Sequence, residues 1–291
     1  MNKPKRSIFE DVADNGGTPA KPATSGGLID RGDADGRGAV RAWLMVLFAL
    51  VVLMISVGGL TRLTDSGLSI TEWRPVTGAL PPLSEMAWPE EFEKYQPIPQ
   101  YQLQNAGMSL AEFKVIYWWE WGHRQLGRVI GLVWAVGLLG LAVARKVPPG
   151  WRPRLLFLGV LGGAQGAIGW WMVSSGLSGE MLDVASYRLA TNLGLAFVIL
   201  GLIAWYVFKL GRQERDLMQA RRSAEPRLFG LSTGLLHLAF VQILIGALVA
   251  GIDAGRTFTD WPLMAGGFLP PDFWRPELGW RNLFENPGLV Q

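Results

Sequence analysis

Residues 109–128 read SLAEFKVIYWWEWGHRQLGR and run straight into the apolar segment Val129–Ala144. Ser109, followed three positions later by Glu112, has the form of a capping box, so a helix is predicted to start there. On that helix Glu120, His123, Arg124, Gly127 and Gly131 are three or four residues apart and share one face. A carboxylate, an imidazole and a guanidinium therefore enter an apolar span side by side. Ionisable groups are costly in hydrocarbon, so a functional role is the first hypothesis for them.

Working outward, five apolar runs, near 42–60, 125–145, 155–174, 189–208 and 228–250, are long enough to cross a bilayer. A hydrocarbon core takes ~20 helical residues. In lipid only helices and closed barrels satisfy their own backbone, and these runs read as helices. The expected fold class is an all-α integral membrane protein. Its helical bundle comprises a four-helix N-terminal half plus the first helix of a repeated second half. The chain has no cysteine, which excludes disulfides, thiolate nucleophiles and cysteine-ligated metals. Lys and Arg crowd the tail before 42 and the turns 145–154 and 209–227. The positive-inside rule then puts the N-terminus in the cytoplasm. A formal charge of +3 distributed this way reports topology, and no nucleic-acid partner is expected.

The domain reading follows. Residues 1–40, rich in Gly, Ser, Pro and charge, are expected to form a disordered cytoplasmic tail without a cleaved signal peptide. Residues 41–210 form the N-terminal four-helix half, with an outer segment over 61–115. Residues 211–227 are a cytoplasmic linker, and 228–291 begin the second half. The outer segment carries many prolines and the aromatic residues Trp73, Trp88, Phe92, Tyr95 and Tyr101. It reads either as an ordered lid on the bundle or as interfacial anchoring.

A repeat supports the two halves. At an offset of 188, Gly58, Leu60, Asp65, Gly67, Thr71, Trp73, Gly78 and Pro82 match Gly246, Leu248, Asp253, Gly255, Thr259, Trp261, Gly266 and Pro270. Duplicated halves are common in membrane proteins. The counterpart of Glu120–Arg128 would fall near 308–316, so the sequence reads as cut off at the C-terminus after the first span of its second half.

Several residues suit a flat ligand. His123 in a helix bordered by glycines and aromatic side chains fits axial ligation of a haem iron. Arg124 and Arg128 at the membrane edge suit propionates, although Arg128 also suits a helix interface. Glu120 fits a base or an electrostatic stabiliser. Asn192 lies at a depth similar to that of His123 on another span, so the two can flank one bound object. A ferritin-like metal site is disfavoured for want of inward carboxylates. A proton relay, or a transporter, remains open. His237 on the last span reads as a bundle residue rather than a ligand.

The strings GGLTRLTDSGLSITEWRPVTGALPP, EFKVIYWWEWGHRQLGR, QGAIGWWMV, YRLATNLGLA and WPLMAGGFLPP…WRNLFENPGLVQ resemble the haem A synthase family of mitochondria and many proteobacteria. The resemblance runs from about Ala42 to Gln291. It implies eight spans in two four-helix halves, in a bacterial inner membrane. It implies oxidation of the C8 methyl of haem O to the formyl of haem A, for cytochrome c oxidase. It implies that His123 is the axial ligand of the haem iron and Glu120 the catalytic acidic residue. A second histidine ligand belongs where Asn192 stands. A haem b is implied in the second half, but its ligands would lie beyond Gln291. Partners implied are haem O, haem O synthase, oxidase assembly factors and the lipid bilayer, with a homo-oligomer left open. The alternative is a non-catalytic haem-binding or assembly protein, suggested by Asn192 and the incomplete second half.

Overall fold

The computed structural model describes residues 28–291 apart from Glu180 and Trp261. Of the disordered tail expected over 1–40, residues 1–27 lie outside the described residues and 28–40 are helical. Helix α1 spans Leu28–Leu63, so it starts well ahead of the apolar run at 42–60. Two short helices follow, α2 (Ala87–Tyr95) and α3 (Pro99–Leu103). Then come α4 (Leu110–Val143), α5 (Arg152–Val173) and α6 (Ser186–Leu210). A surface helix, α7 (Glu214–Arg222), leads to α8 (Pro226–Gly251), and two single-turn helices, α9 (Asn282–Glu285) and α10 (Pro287–Val290), close the chain. Five helices, α1, α4, α5, α6 and α8, are long and apolar enough to cross a membrane. No strand is formed among the described residues, only one isolated bridge between Met264 and Gly267.

The capping box sits where the sequence places it. The Ser109 hydroxyl accepts from the Glu112 N–H, and the Glu112 side chain accepts from Ser109 N–H. With the start of α4 so fixed, its 34 residues run ~51 Å at ~1.5 Å each. That exceeds a hydrocarbon core of ~30 Å, so α4 is long enough for its first turns to project beyond one.

Packing makes a ring. Helix α1 lies against α4 and α6, and α5 lies against α4 and α6, so α4 and α6 stand diagonally across the bundle. Helix α8 packs on α6. Two apolar cores form at different depths. The inner one joins Leu44, Leu47, Leu155, Leu158, Ile203 and Tyr206. There Trp43 and Trp134 lie directly on the neighbouring backbones at Gly137 and Gly159. Each indole N–H donates to a backbone carbonyl across the helix pair, Trp43 to Val133 and Trp134 to Leu155, both at 3.0 Å. The outer core joins Leu68, Trp88, Tyr95, Ile98, Phe113 and Tyr117. It fastens α2 and α3 onto the projecting turns of α4, so the outer segment is an ordered lid.

The repeat has a matching backbone. Asp65 and Asp253 both take φ 49, and each donates its N–H to the carbonyl three residues earlier, Arg62 and Ala250 respectively. Residues 252–291 then fold back through two buried asparagines. Asn282 donates to the carbonyls of Arg275 and Gly279, and Asn286 to that of Asp272. Ser186 at the head of α6 donates to the Phe284 carbonyl and ties this segment to the bundle.

Candidate functional site

Glu120 is 2% exposed and faces the lid. Its Oε2 accepts from the Ser69 hydroxyl and from the Ile70 N–H, both at 2.7 Å. Its Oε1 pairs with the Arg124 guanidinium one turn further along. Three donors converge on one carboxyl group.

Arg124 does more than pair with Glu120. It donates to the carbonyls of Ile70 at 2.7 Å and Glu72 at 3.1 Å. Its guanidinium also lies 5.7 Å from the Trp170 ring, which stacks on Trp73 with centroids 5.9 Å apart. Arg128 donates to the carbonyls of Pro75 at 2.9 Å and Arg74 at 3.0 Å. Glu120, Arg124 and Arg128 thus form one stripe that clamps residues 69–75 onto α4. Both guanidiniums, assigned to propionates from sequence, are engaged here by the lid backbone. A cavity of about 350 Å³ lies beside them, lined by Glu72, Arg74, Tyr117 and the two arginines among others.

His123 belongs to the adjacent stripe and turns away from the lid. It faces α1, where a Cβ built on Gly58 would lie 3.0 Å from Nε2. Among the described residues no hydrogen bond engages either of its ring nitrogens. Asn192, on the diagonal helix α6, turns to α5. Its Oδ1 accepts from Gln165 Nε2 at 2.9 Å and lies beside Gly169. His123 and Asn192 are therefore not in contact. They occupy the layer between the two apolar cores, on helices that face each other across the bundle.

Gly131, Gly162, Gly163 and Gly166 are exposed on the surface of the bundle, so a Cβ added there meets nothing within 4 Å. The buried Gln165 Oε1 has no hydrogen-bond partner. An unengaged imidazole and an orphaned amide oxygen in this layer fit a planar substrate with a metal centre. His237 fits no such place. It lies on the outer surface of α8 with Nδ1 2.8 Å from the Thr233 carbonyl of its own helix.

Sequence reasoning missed Ser69, the Ile70 N–H, Trp170 and Gln165, and it named Gly58 only within the repeat. A partial signal existed, because Ser69 and Ile70 lie inside the repeated SGLSITEW string.

Five membrane-length helices, a lid-covered carboxylate and a free imidazole in the bundle define a multi-pass helical membrane protein with a buried polar site. The chain belongs to the COX15-CtaA family, described as cytochrome oxidase assembly protein, whose family model matches residues 41–291. It is 69% identical over 288 residues to the Heme A synthase of Dinoroseobacter shibae. It is 69% identical over 289 residues to that of Ruegeria pomeroyi, and 62% identical over 287 residues to that of Paracoccus denitrificans. Each match covers 99% of this chain and 75% of the relative. No solved structure matches the chain. With its five candidate spans and bacterial relatives, the chain is a bacterial membrane protein.

Proposed function

We propose that this chain is a haem A synthase, an oxidoreductase that converts the C8 methyl of haem O to the formyl of haem A. Its family and its relatives place it in haem A biosynthesis for cytochrome oxidase. The observation that carries the finer reading is the Glu120 carboxylate, sealed under the lid and fixed by Ser69, Ile70 and Arg124, next to a free His123.

In this reading haem O is the substrate and lies in the layer between the two cores. His123 holds its iron, with Asn192 on the far side of the bundle. Glu120 is a preorganised negative charge. It stabilises the positive charge that develops as electrons leave the methyl carbon, and such fixed charges cost no reorganisation during reaction. Water supplies the oxygen: a methyl plus water becomes a formyl with loss of four protons and four electrons. The electrons leave to a one-electron membrane carrier. The lid excludes bulk water, and Arg124 and Arg128 hold the lid. Their remaining N–H groups border the cavity of about 350 Å³, which suits the carboxylates of a macrocycle.

The N-terminus is cytoplasmic in this proposal. Arg37 near the start of α1 donates to the carbonyls of Lys209 and Arg212, so the basic tail and a basic turn share one end of the bundle. Haem O synthase and oxidase assembly factors are the proposed partners. A purely non-catalytic role is not favoured, because relatives at 62–69% identity carry the synthase name. The test is conversion of haem O to haem A by membranes containing Glu120→Gln. A loss of ~10²–10³-fold is expected for removing a preorganised charge. Undiminished conversion would refute the role given to Glu120.

A further inference from the structure

We propose that the outer lid carries a membrane-interface anchor at Val76–Leu80, whose apolar side chains enter the outer leaflet, and that Phe268 and Leu269 form its counterpart in the second repeat.

Two rulers fix the depth of this stretch. Arg128, which grips the Arg74 and Pro75 carbonyls, lies 145 − 128 = 17 residues above Arg145 at the inner end of α4. That is ~25 Å of helix at ~1.5 Å per residue. On α5, Trp170 lies 170 − 152 = 18 residues from Arg152, or ~27 Å at the same rise. Trp73 stacks on Trp170. Both helices put residues 73–78 just short of the outer limit of a hydrocarbon core ~30 Å thick.

At that depth the chain presents apolar side chains outward. Val76 is 81% and Leu80 71% exposed, while the Arg74 and Pro75 carbonyls of the same stretch turn inward to Arg128 on α4 and the Arg74 and Thr77 side chains stay exposed. Trp73, three residues before Val76, is of the type that collects at membrane interfaces. A single exposed apolar tip is ordinary on any protein surface. Yet Leu80 corresponds to Phe268 at the repeat offset, and Phe268 and Leu269 are 80% and 63% exposed. Lipid is the occupant that the depth selects. The anchor is continuous with Ser69 and Ile70, so it also steadies the donors to Glu120.

The segment then climbs out of the bilayer. Glu85 pairs with Lys114 at 3.0 Å, and Lys114 lies 145 − 114 = 31 residues above Arg145, ~46 Å along the helix at ~1.5 Å each. Met86 is therefore in water, although it is more exposed than Leu80. This ordering makes a test, and the cysteine-free chain allows single labels without background. Leu80→Cys, Phe268→Cys and Met86→Cys are each labelled with an environment-sensitive fluorophore in the full chain in phosphatidylcholine nanodiscs. Cysteine at an exposed position displaces no packed neighbour, so folding is retained. Labels at 80 and 268 should emit blue-shifted and lose most emission to a lipid spin-labelled near its headgroup. The label at 86 should instead be quenched by iodide. Iodide quenching at 80 equal to that at 86 overturns the proposal. So does a label at 80 shielded from both quenchers, which would mean that protein rather than lipid covers it.

Discussion

Arg62 donates a 3.0 Å hydrogen bond to the backbone carbonyl of Ala250, which lies 188 residues further along the chain. The same 188 is the register of the sequence repeat. A residue that meets its own repeat mate lies beside the axis relating the two halves. The matched turns at Asp65 and Asp253, both at φ 49, flank this point, and Arg62 pairs with both of them and with Asp183.

Arg62→Leu is expected to loosen the junction of α8 with the first half. The partners are partly exposed, and such pairs contribute ~0.2–1 kcal/mol each. Three of them, plus the repulsion left among three carboxylates, make a cost of about 1–3 kcal/mol. Thermal unfolding in detergent, with protease cleavage between α6 and α8 as a local readout, measures it. A melting curve and cleavage rate matching the parent would remove Arg62 from this role.

Asp183 gives the junction a pH dependence. Burial raises its carboxyl above the usual carboxylate range, Arg62 opposes this, and the Asp253 and Asp65 charges push it up further. The folded state therefore holds the Asp183 proton more tightly than the unfolded chain does. Its ionised form costs stability at neutral pH. That cost is relieved as pH falls through the raised folded value toward the ordinary one. Asp183→Asn should thus melt no lower than the parent at neutral pH, and its advantage should vanish in mild acid. A variant that melts lower at neutral pH and converges with the parent in acid has the opposite sign and would contradict this account.

Gly58 controls the His123 ring. A Cβ there sits 3.0 Å from Nε2, so Gly58→Ala should shift the imidazole by a few tenths of an ångström. At Gly169 the added Cβ would make an ordinary 3.5 Å contact with Asn192 Oδ1. Haem retained through purification should fall in Gly58→Ala and stay near the parent level in Gly169→Ala. Equal retention in the two variants would show that Gly58 does not act through His123.

Glu120→Ala differs from the glutamine variant. It strips the buried partner from Arg124, which costs ~3–5 kcal/mol for a broken buried pair. It also frees the Ser69 and Ile70 donors, so the lid should become accessible to protease around residues 70–78, while Glu120→Gln keeps it closed. Lid protection identical to the parent in the alanine variant would mean that Glu120 does not hold the lid.

Much of this was legible beforehand. Span positions follow from apolar length, and the start of α4 from Ser109 and Glu112. The split of the α4 residues was not. Helical spacing puts Glu120, His123 and Arg124 on one broad face. It does not say that Glu120, Arg124 and Arg128 turn to the lid while His123 turns to Gly58. That division is set by residues about 50 positions away in sequence, Ser69 to Pro75, whose backbone carbonyls and N–H groups look alike in any sequence. Gln165 was hidden for a related reason, because its partner Asn192 is on another helix.

The central claim is that a haem lies between α4 and α6 with His123 on its iron. The protein loaded with haem O is examined by electron paramagnetic resonance in the ferric state, beside His123→Ala and Asn192→His. An amide is a poor axial ligand, so the parent should give a high-spin signal from iron held by one histidine. Asn192→His should convert it to the low-spin signal of two imidazoles, and His123→Ala should lose the bound haem. An unchanged high-spin signal in Asn192→His, with full haem retention in His123→Ala, would contradict the account.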